Sequence, residues 1–272
     1  MTDITYYVDE TPGHRSSMED AHAIYRDDDR HFFAAEVYDG HGGSEAAASA
    51  SRILTPWFMN NWIKELDKSV SHRIPEADIL RDAYRSADAH LIHENVVSGT
   101  TAANLYIIDE HFITANVGDT RIVLGTRKDA FVVTKDHRPG LDEERERIEA
   151  LGGTVISYAV PRVQGILAVS RALGDASLKP YVTSEPRTVT GLLGRENDFA
   201  IVACDGVWDV LSPAEAIRIT RENAGNGRPS DALVKRALAS GSTDNITVIV
   251  LDLRLHVRKL PRQRMKILQV QD

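Results

Sequence analysis

The sequence predicts an α+β protein built from stacked antiparallel β-sheets with helices packed over them. Three observations lead to that class. Eight short stretches are apolar throughout or alternate apolar with polar residues, the pattern of strands buried on one or both faces. Neighbouring stretches are joined by connections as short as Asp109-Glu110 and Gly118-Asp119, which read as tight hairpins and therefore as antiparallel pairing. Five longer stretches carry apolar residues at helical spacing and lie apart from the hairpins.

The predicted strands are 31–39, 101–109, 111–118, 120–126, 130–135, 166–172, 199–205 and 245–253. The first helix begins at Ser44, and Pro56 is expected to end or kink it because proline has no backbone N–H to give. Residues 76–96 place Ile79, Leu80, Ala83, Ala87, Leu91 and Ile92 on one face. Asp142 is expected to cap a helix that Gly152-Gly153 terminates. Pro213 opens a further helix as a first-turn proline, and Ser230 is expected to cap the last. After Asp252 the pattern fails: Arg254, Arg258, Lys259, Arg262, Arg264 and Lys266 follow with no acid until Asp272. A solvated tail or an added surface helix is the favoured reading, ahead of a docking segment. The sign of this segment is opposite to that of the body, which leaves self-association with an acidic surface open.

With 272 residues, of which 42% are hydrophobic, the chain can bury one large core or two small ones. A net charge of -8 argues against general binding to nucleic acid or anionic membranes. The first ten residues show no basic segment followed by an apolar run, so no secretory signal is expected, and no apolar stretch has the length of a membrane span. Cys204 is the single cysteine, which excludes disulfides within the chain and fits a reducing cytosol. The expected location is cytoplasmic, with the nucleus open, and nothing in the sequence demands more than a monomer.

Chemistry is suggested by acids at strand ends. Asp39 in VYDGHGG, Asp119 in NVGDTR, Asp205 and Asp209 in CDGVWD, and Asp244 in STDNITV all stand where strands end or turns begin. Gathered carboxylates repel one another, and a hard divalent cation such as Mg²⁺ or Mn²⁺ relieves that repulsion. With Arg15 and His41 nearby, such a site points to metal-assisted phosphate chemistry. Each segment also has a plainer reading. Asp39 capping the helix after Ser44 weighs equally with a ligand role; Asp205 and Asp209 could be a capped turn; Asp244-Asn245 could be an Asx turn. Arg15, taken alone, reads better as a surface salt bridge with Glu19 or Asp20. Together, three strand-associated Asp turns of one kind outweigh these readings.

Several rival chemistries fail on residues. A cysteine phosphatase needs an Arg in the loop after its nucleophile, and Cys204 is followed by DGVWDV. Cys204 therefore reads as a small buried hydrophobe. Asp39-x-His41 matches the opening of calcineurin-like metallophosphoesterases, but the later Asp and the Asn-His pair are missing. DDDR at 27–30 has no apolar strand before it. Neither a GxxxxGK[ST] nor an HExxH motif occurs.

Nine segments, in this order, resemble the metal-dependent (type 2C) protein serine/threonine phosphatases: RSSMEDAH, VYDGHGG, SGTTA, ANVGDTRIVL, KDHRP, RIEALGGTV, RVQGILAVSRALGD, FAIVACDGVWDVLS and STDNITVIV. The resemblance implies a two-sheet β-sandwich flanked by helix pairs, with metals in a cleft at one end. It implies that Asp39 bridges two Mn²⁺ or Mg²⁺ ions, that Asp205 and Asp244 complete one of them, and that the Gly40 carbonyl serves the other. Glu19 and Asp20 would hold water on the metals. Asp119 and Asp209, with Asp205, would form a weaker third site. Arg15 would clamp the substrate phosphate, and His41 would protonate the leaving Ser or Thr oxygen. The implied reaction is hydrolysis of phosphoserine and phosphothreonine in protein substrates by a water activated by two divalent metals, without a covalent intermediate. Residues 1–254 would be the phosphatase domain, 255–272 a basic C-terminal tail, and 154–164 a variable flap. Glu36, Tyr38 and Gln164 depart from the usual pattern, as does TSEPRTVT after Tyr181, and none stands at a metal position. Two competing readings are a binding module that has lost catalysis and a small-molecule phosphatase on the same scaffold. The first would be expected to lack a bridging Asp or the Asp-Asn pair, and this chain has both.

Overall fold

A computed structural model describes residues 3–272 as a four-layer sandwich. The five-stranded sheet has the order β1 (Thr5–Thr11), β15 (Ile246–Asp252), β14 (Asn197–Ala203), β8 (Arg121–Thr126), β9 (Ala130–Val132). The six-stranded sheet has the order β16 (Lys266–Gln271), β13 (Arg187–Leu192), β7 (His111–Val117), β6 (Ala102–Ile108), β3 (Phe32–Tyr38), β2 (Ala21–Asp27). All their pairings are antiparallel. Helices α1 (Glu45–Leu66) and α2 (Glu76–His93) cover the larger sheet. Helices α5 (Pro213–Asn223) and α6 (Pro229–Ala239) cover the smaller. Outside the layers lie α3 (Asp142–Ala150), the single turn α4 (Asp205–Trp208) and α7 (Arg254–Lys259). Two small sheets complete the fold: β10 (Val155–Ser157) with β11 (Pro161–Val163), and β12 (Leu173–Gly174) with β5 (Gly99–Thr100) and β4 (Gly40–His41).

Period-two alternation builds the layers. Along β3, Phe33, Ala35 and Val37 face the other sheet, where they meet Ile122, Leu124, Ala200 and Val202. Phe32, Ala34 and Tyr38 face α1 and α2. On β14 and β15, Phe199, Ile201, Val248 and Val250 face α5 and α6. Strands with both faces covered read as continuous apolar runs, and for that reason they are the ones the sequence displays most clearly.

Several local expectations are corrected. Pro56 neither ends nor kinks the first helix into two: α1 runs through it. Pro56 faces solvent, while Ala50, Leu54, Phe58 and Trp62 bury the inner face on both sides, and that packing outweighs one lost hydrogen bond. Gly118-Asp119 is not a hairpin, since β7 and β8 belong to different sheets. Asp142 lies inside α3, with Leu141 at the N-cap. Ser230 lies inside α6 and donates to Asp9 at 2.6 Å instead of capping. Segment 166–172 forms no strand; its contacts are single bridges, Val163 to Leu167 and Arg171 to Thr183. Left-handed Gln164 and Gly165 turn the chain before it, and its Leu167, Val169 and Ala172 pack a separate small core with Ile148, Val163 and Val182. The basic segment after Asp252 forms α7 and then β16, an edge strand hydrogen-bonded to β13.

Buried polar groups tie the layers together. Glu36, on the helix-facing side of β3, is fully buried. It accepts from Tyr38 at 2.9 Å, Asn104 at 2.6 Å, Tyr106 at 3.0 Å and Thr55 of α1. Two of the sequence departures, Glu36 and Tyr38, are thus partners. Removing the acceptor leaves its donors buried and unsatisfied, at a cost of about 1–3 kcal/mol each. Glu36→Ala is therefore expected to lower the urea unfolding free energy by about 3 kcal/mol or more, and Tyr38→Phe by about 1 kcal/mol.

Glu144 of α3 holds segment 166–172 in place. It accepts from Arg171 at 2.7 and 3.0 Å and from Arg147 at 2.9 Å. Burial works to raise its pKa, but the hydrogen bonds and charge of Arg171, with Arg147, prevail and hold it at about 2. A carboxylate held below its unfolded value stabilises the fold above the unfolded pKa, near 4.5, and loses that contribution as pH falls toward 2. Acid unfolding followed by tryptophan fluorescence should show this loss between those values. Glu144→Gln should flatten that part of the profile.

Candidate metal centre

The antiparallel register brings the acids together. The exits of β3, β7 and β14 and the entries of β2, β8 and β15 all lie at one end of the sandwich: Tyr38 pairs with Ala21, Ala102 with Val117, and Ala203 with both Arg121 and Val248. Asp39 follows β3, Asp119 follows β7, Asp205 follows β14 as the first residue of α4, Asp244 precedes β15, and Glu19 and Asp20 precede β2. All of these but Asp20 border a cleft of 490 Å³ with Arg15, His41, Thr101 and Arg162 in its walls. Asp39, Asp119 and Asp205 each place a carboxylate oxygen within 4.8 Å of the others. Asp20 lies equally close to Asp39 and Cys204.

Glycine allows this convergence. A Cβ on Gly40 would run into the carbonyl of Glu19, and a Cβ on Gly206 into that of Asn245, so the strand-end turns could not close on one another with any other residue. Asn245 ties the N-terminal loop to β15: its side chain accepts from the Glu19 N–H at 2.8 Å and donates to the carbonyls of Pro12 and Ser17 at 3.0 and 2.9 Å. Glu19 in turn accepts from the Gly43 N–H at 3.0 Å.

The electrostatics are those of a cation site. Burial, then the charges of Asp205, Asp20 and Asp119, push the Asp39 carboxyl far above the usual range. Burial, then Asp119, Asp209 and Asp244, push Asp205 up to about 8. Burial raises Asp20 to about 6, and one of its oxygens is buried with no hydrogen-bond partner while the other accepts from Thr247 at 2.7 Å. Asp119 is also raised to about 6 by burial, partly offset by Arg138. Hard oxygen donors, mutual repulsion and an orphaned carboxylate oxygen fit a divalent cation of the Mg²⁺ or Mn²⁺ type. The Cys204 thiol is driven up by burial and by Asp20 and Asp39, so it stays protonated and inert.

Not every predicted residue points into the acid cluster. Asp244 borders the cleft but pairs with Arg15 at 2.7 Å. Arg15 therefore pairs with the turn before β15 instead of with Glu19 or Asp20. Asp209 sits one turn beyond Asp205 at the end of α4, as its spacing suggests, and is half exposed. A residue left unassigned by sequence, Arg138 of the KDHRP segment, forms ion pairs with Asp119 at 3.0 Å and Asp209 at 2.7 Å. It already neutralises two of the three donors expected at the weaker third site.

Asp175 was also unassigned, although it closes the quoted RALGD segment. His41 Nε2 and Asp175 Oδ2 are 2.7 Å apart. Asp175 has a left-handed backbone (φ 51°), and a Cβ on Gly99 would collide with both side chains. The pairing is not identifiable in sequence, because 134 residues separate His41 from Asp175 and the reason for Gly99 exists only once β4, β5 and β12 have met. The expected flap, 154–164, is the hairpin β10–β11, with Tyr158 at its tip 86% exposed and Arg162 reaching the cleft.

Comparison with known proteins agrees with this architecture. The family model described as Protein phosphatase 2C matches residues 4–246. An Arabidopsis thaliana protein named "Probable protein phosphatase 2C 71" is 38% identical over 253 residues, covering 91% of this chain and 55% of that protein. A rice (Oryza sativa subsp. japonica) protein named "Probable protein phosphatase 2C 59" is 34% identical over 267 residues, covering 95% of this chain and 79% of its own. The chain thus spans little more than half of the first relative. In fold, it matches a structure described as serine-threonine phosphatase 2C from Toxoplasma gondii with a TM-score of 0.83 at 24% identity, over 92% of this chain and 94% of that one. The chain belongs to the protein phosphatase 2C family, a family of metal-dependent protein serine/threonine phosphatases.

Proposed function

We propose that this chain hydrolyses phosphoserine and phosphothreonine in protein substrates with two divalent cations and no covalent enzyme intermediate. The observation that carries the reading is the meeting of Asp39, Asp119 and Asp205 within 4.8 Å, next to the orphaned oxygen of Asp20, in a cleft that also contains Arg15 and His41. In this reading Asp39, Asp205, Asp244 and the Gly40 carbonyl would hold the cations, and Glu19 and Asp20 would hold water beside them. When bound, the cations would supply Lewis acidity and lower the pKa of the attacking water toward neutrality. A third, weaker site at Asp119, Asp205 and Asp209 would require Arg138 to move aside.

The chain's own residues do the rest. Arg15 is more than half exposed, and its single ion pair with Asp244 leaves guanidinium donors for a phosphate oxygen. His41 gives a proton to the serine or threonine oxygen as it leaves. Asp175, by accepting from Nε2, fixes the ring so that Nδ1 is the nitrogen free to carry that proton.

Asp205→Asn is expected to abolish Mn²⁺-dependent phosphopeptide hydrolysis and the calorimetric signal of Mn²⁺ binding. By relieving repulsion it should raise the Tm of chelator-treated protein. Undiminished turnover would overturn the assignment.

His41→Ala should slow phosphoserine hydrolysis by ~10²–10⁴-fold and spare an activated aryl phosphate, whose leaving group needs no proton. Gly99→Ala should reproduce that leaving-group pattern with Mn²⁺ affinity unchanged, because it drives His41 and Asp175 apart. Equal losses on both substrates would count against the acid role.

A further inference from the structure

We propose that the end of the sandwich opposite the metal centre is a docking surface for an acidic polypeptide segment of the substrate. Three segments meet there: the loop after β8 containing Arg127 and Lys128, the turn Leu193–Glu196 between β13 and β14, and the stretch from Leu260 to Met265 that leads into β16. β14 begins at this end and delivers Asp205 at the other after a strand of seven residues, a separation of about 20 Å.

Two adjoining concavities of 520 and 340 Å³ share Arg127 and Glu196 in their walls. Seven arginine or lysine residues line them against three acids. Part of that charge is spent internally: Arg221 pairs with Asp198, Arg254 with Asp252, and Arg195 donates to the Leu260 carbonyl. Arg127, Lys128, Arg258 and Arg264 are exposed, and among the described residues none of their side chains has an ion pair or hydrogen bond. Of the three acids, Glu196 accepts from the Met265 N–H at 2.7 Å, and Asp129 alone is uncommitted.

This concentration of charge is held in place. The Arg195 N–H donates to Gln263 at 3.2 Å, the Gln263 amide donates to Leu193 at 3.1 Å, and the Arg195 guanidinium reaches Leu260 at 2.7 Å. Gly194 lets the stretch lie against the turn, since a Cβ there would meet the Met265 nitrogen. The stretch lies beyond residue 246, where the match to the family model ends. A chain of net charge -8 thus holds four cations without ion-pair partners around these concavities, two of them, Arg258 and Arg264, beyond that match. Their mutual repulsion is unfavourable alone and becomes favourable when an anionic partner lies across them.

The shape selects among anionic partners. Paired concavities suit an extended chain and not a flat bilayer. Phe131 and Met265 line the larger one and offer apolar contact to a side chain between acids. The acidic body opposes the long phosphate backbone of a nucleic acid, and one exposed aromatic is no stacking platform for bases. The inference rests on the proposed phosphoprotein activity for its purpose, and it implies an acid-rich stretch more than about six extended residues from the phosphorylated residue.

The test uses the full chain and the triple variant R127E/K128E/R264E, none of whose residues touches the cleft. Anisotropy of a labelled Glu/Asp-rich peptide of about 15 residues, read in chelator without turnover, should show binding weakened about tenfold or more in the variant. Binding to the parent should fade as ionic strength rises from about 0.05 to about 0.5 M. The charge-conserving pair R127K/R264K should retain affinity. With phosphorylated casein the triple variant should raise KM by a similar factor, while kcat/KM on an aryl phosphate stays unchanged and reports intact folding. Equal peptide affinity in parent and triple variant, or a parent that binds anionic vesicles or poly(U) in preference to the peptide, would overturn the proposal. Absence of aryl phosphate turnover in the parent would instead overturn the catalytic reading, because the anisotropy measures docking by itself.

Discussion

Carboxylates are crowded at the end of a rigid sandwich, and both sheets and their covering helices hold them there. Asp39, Asp205, Asp119 and Asp20 are pushed toward protonation chiefly by burial, and each further by another of these acids or by Asp209 or Asp244. A fold that only had to be stable would not gather them. The cost is tolerated because the strands behind them are bonded into two sheets with apolar faces covered on both sides, so the acids cannot move apart without unzipping the core. A hard cation turns the same repulsion into coordination.

Cations of the chain itself modulate that crowding, and they come from distant segments. Arg15 reaches Asp244, and Arg138 bridges Asp119 and Asp209. Asp39 and Asp205 have no ion pair among the described residues, whereas Asp119 and Asp209 already face an arginine. The His41–Asp175 pair lies alongside, held by a glycine that leaves it room.

The two ends of the sandwich carry opposite charge. One end concentrates carboxylates over the sheet exits; the other gathers arginine and lysine on a turn, a loop and the segment leading into β16. The strand β16 does not add much to the core, since its side chains are mostly exposed. Its hydrogen bonds to β13 instead fix where the preceding cations lie.

Local sequence pattern was enough for the class of fold, the runs that became β3, β6, β7, β8, β14 and β15, and the identity of the acids that line the cleft, because burial on two faces and strand-end turns leave marks in neighbouring residues. Strands half exposed to solvent, such as β1, β2, β13 and β16, left no such mark. Nor did sequence show that α1 would pass through Pro56, or that 166–172 would pack a small core instead of pairing, since both outcomes depend on surfaces supplied by other segments. Which arginine faces which carboxylate, why Gly99 must be glycine, and where uncompensated charge accumulates were decided by the tertiary structure alone. Those are facts about distances between residues on different segments, from 19 to 229 positions apart for the arginine–carboxylate pairs of the cleft, and the register of the sheets sets them.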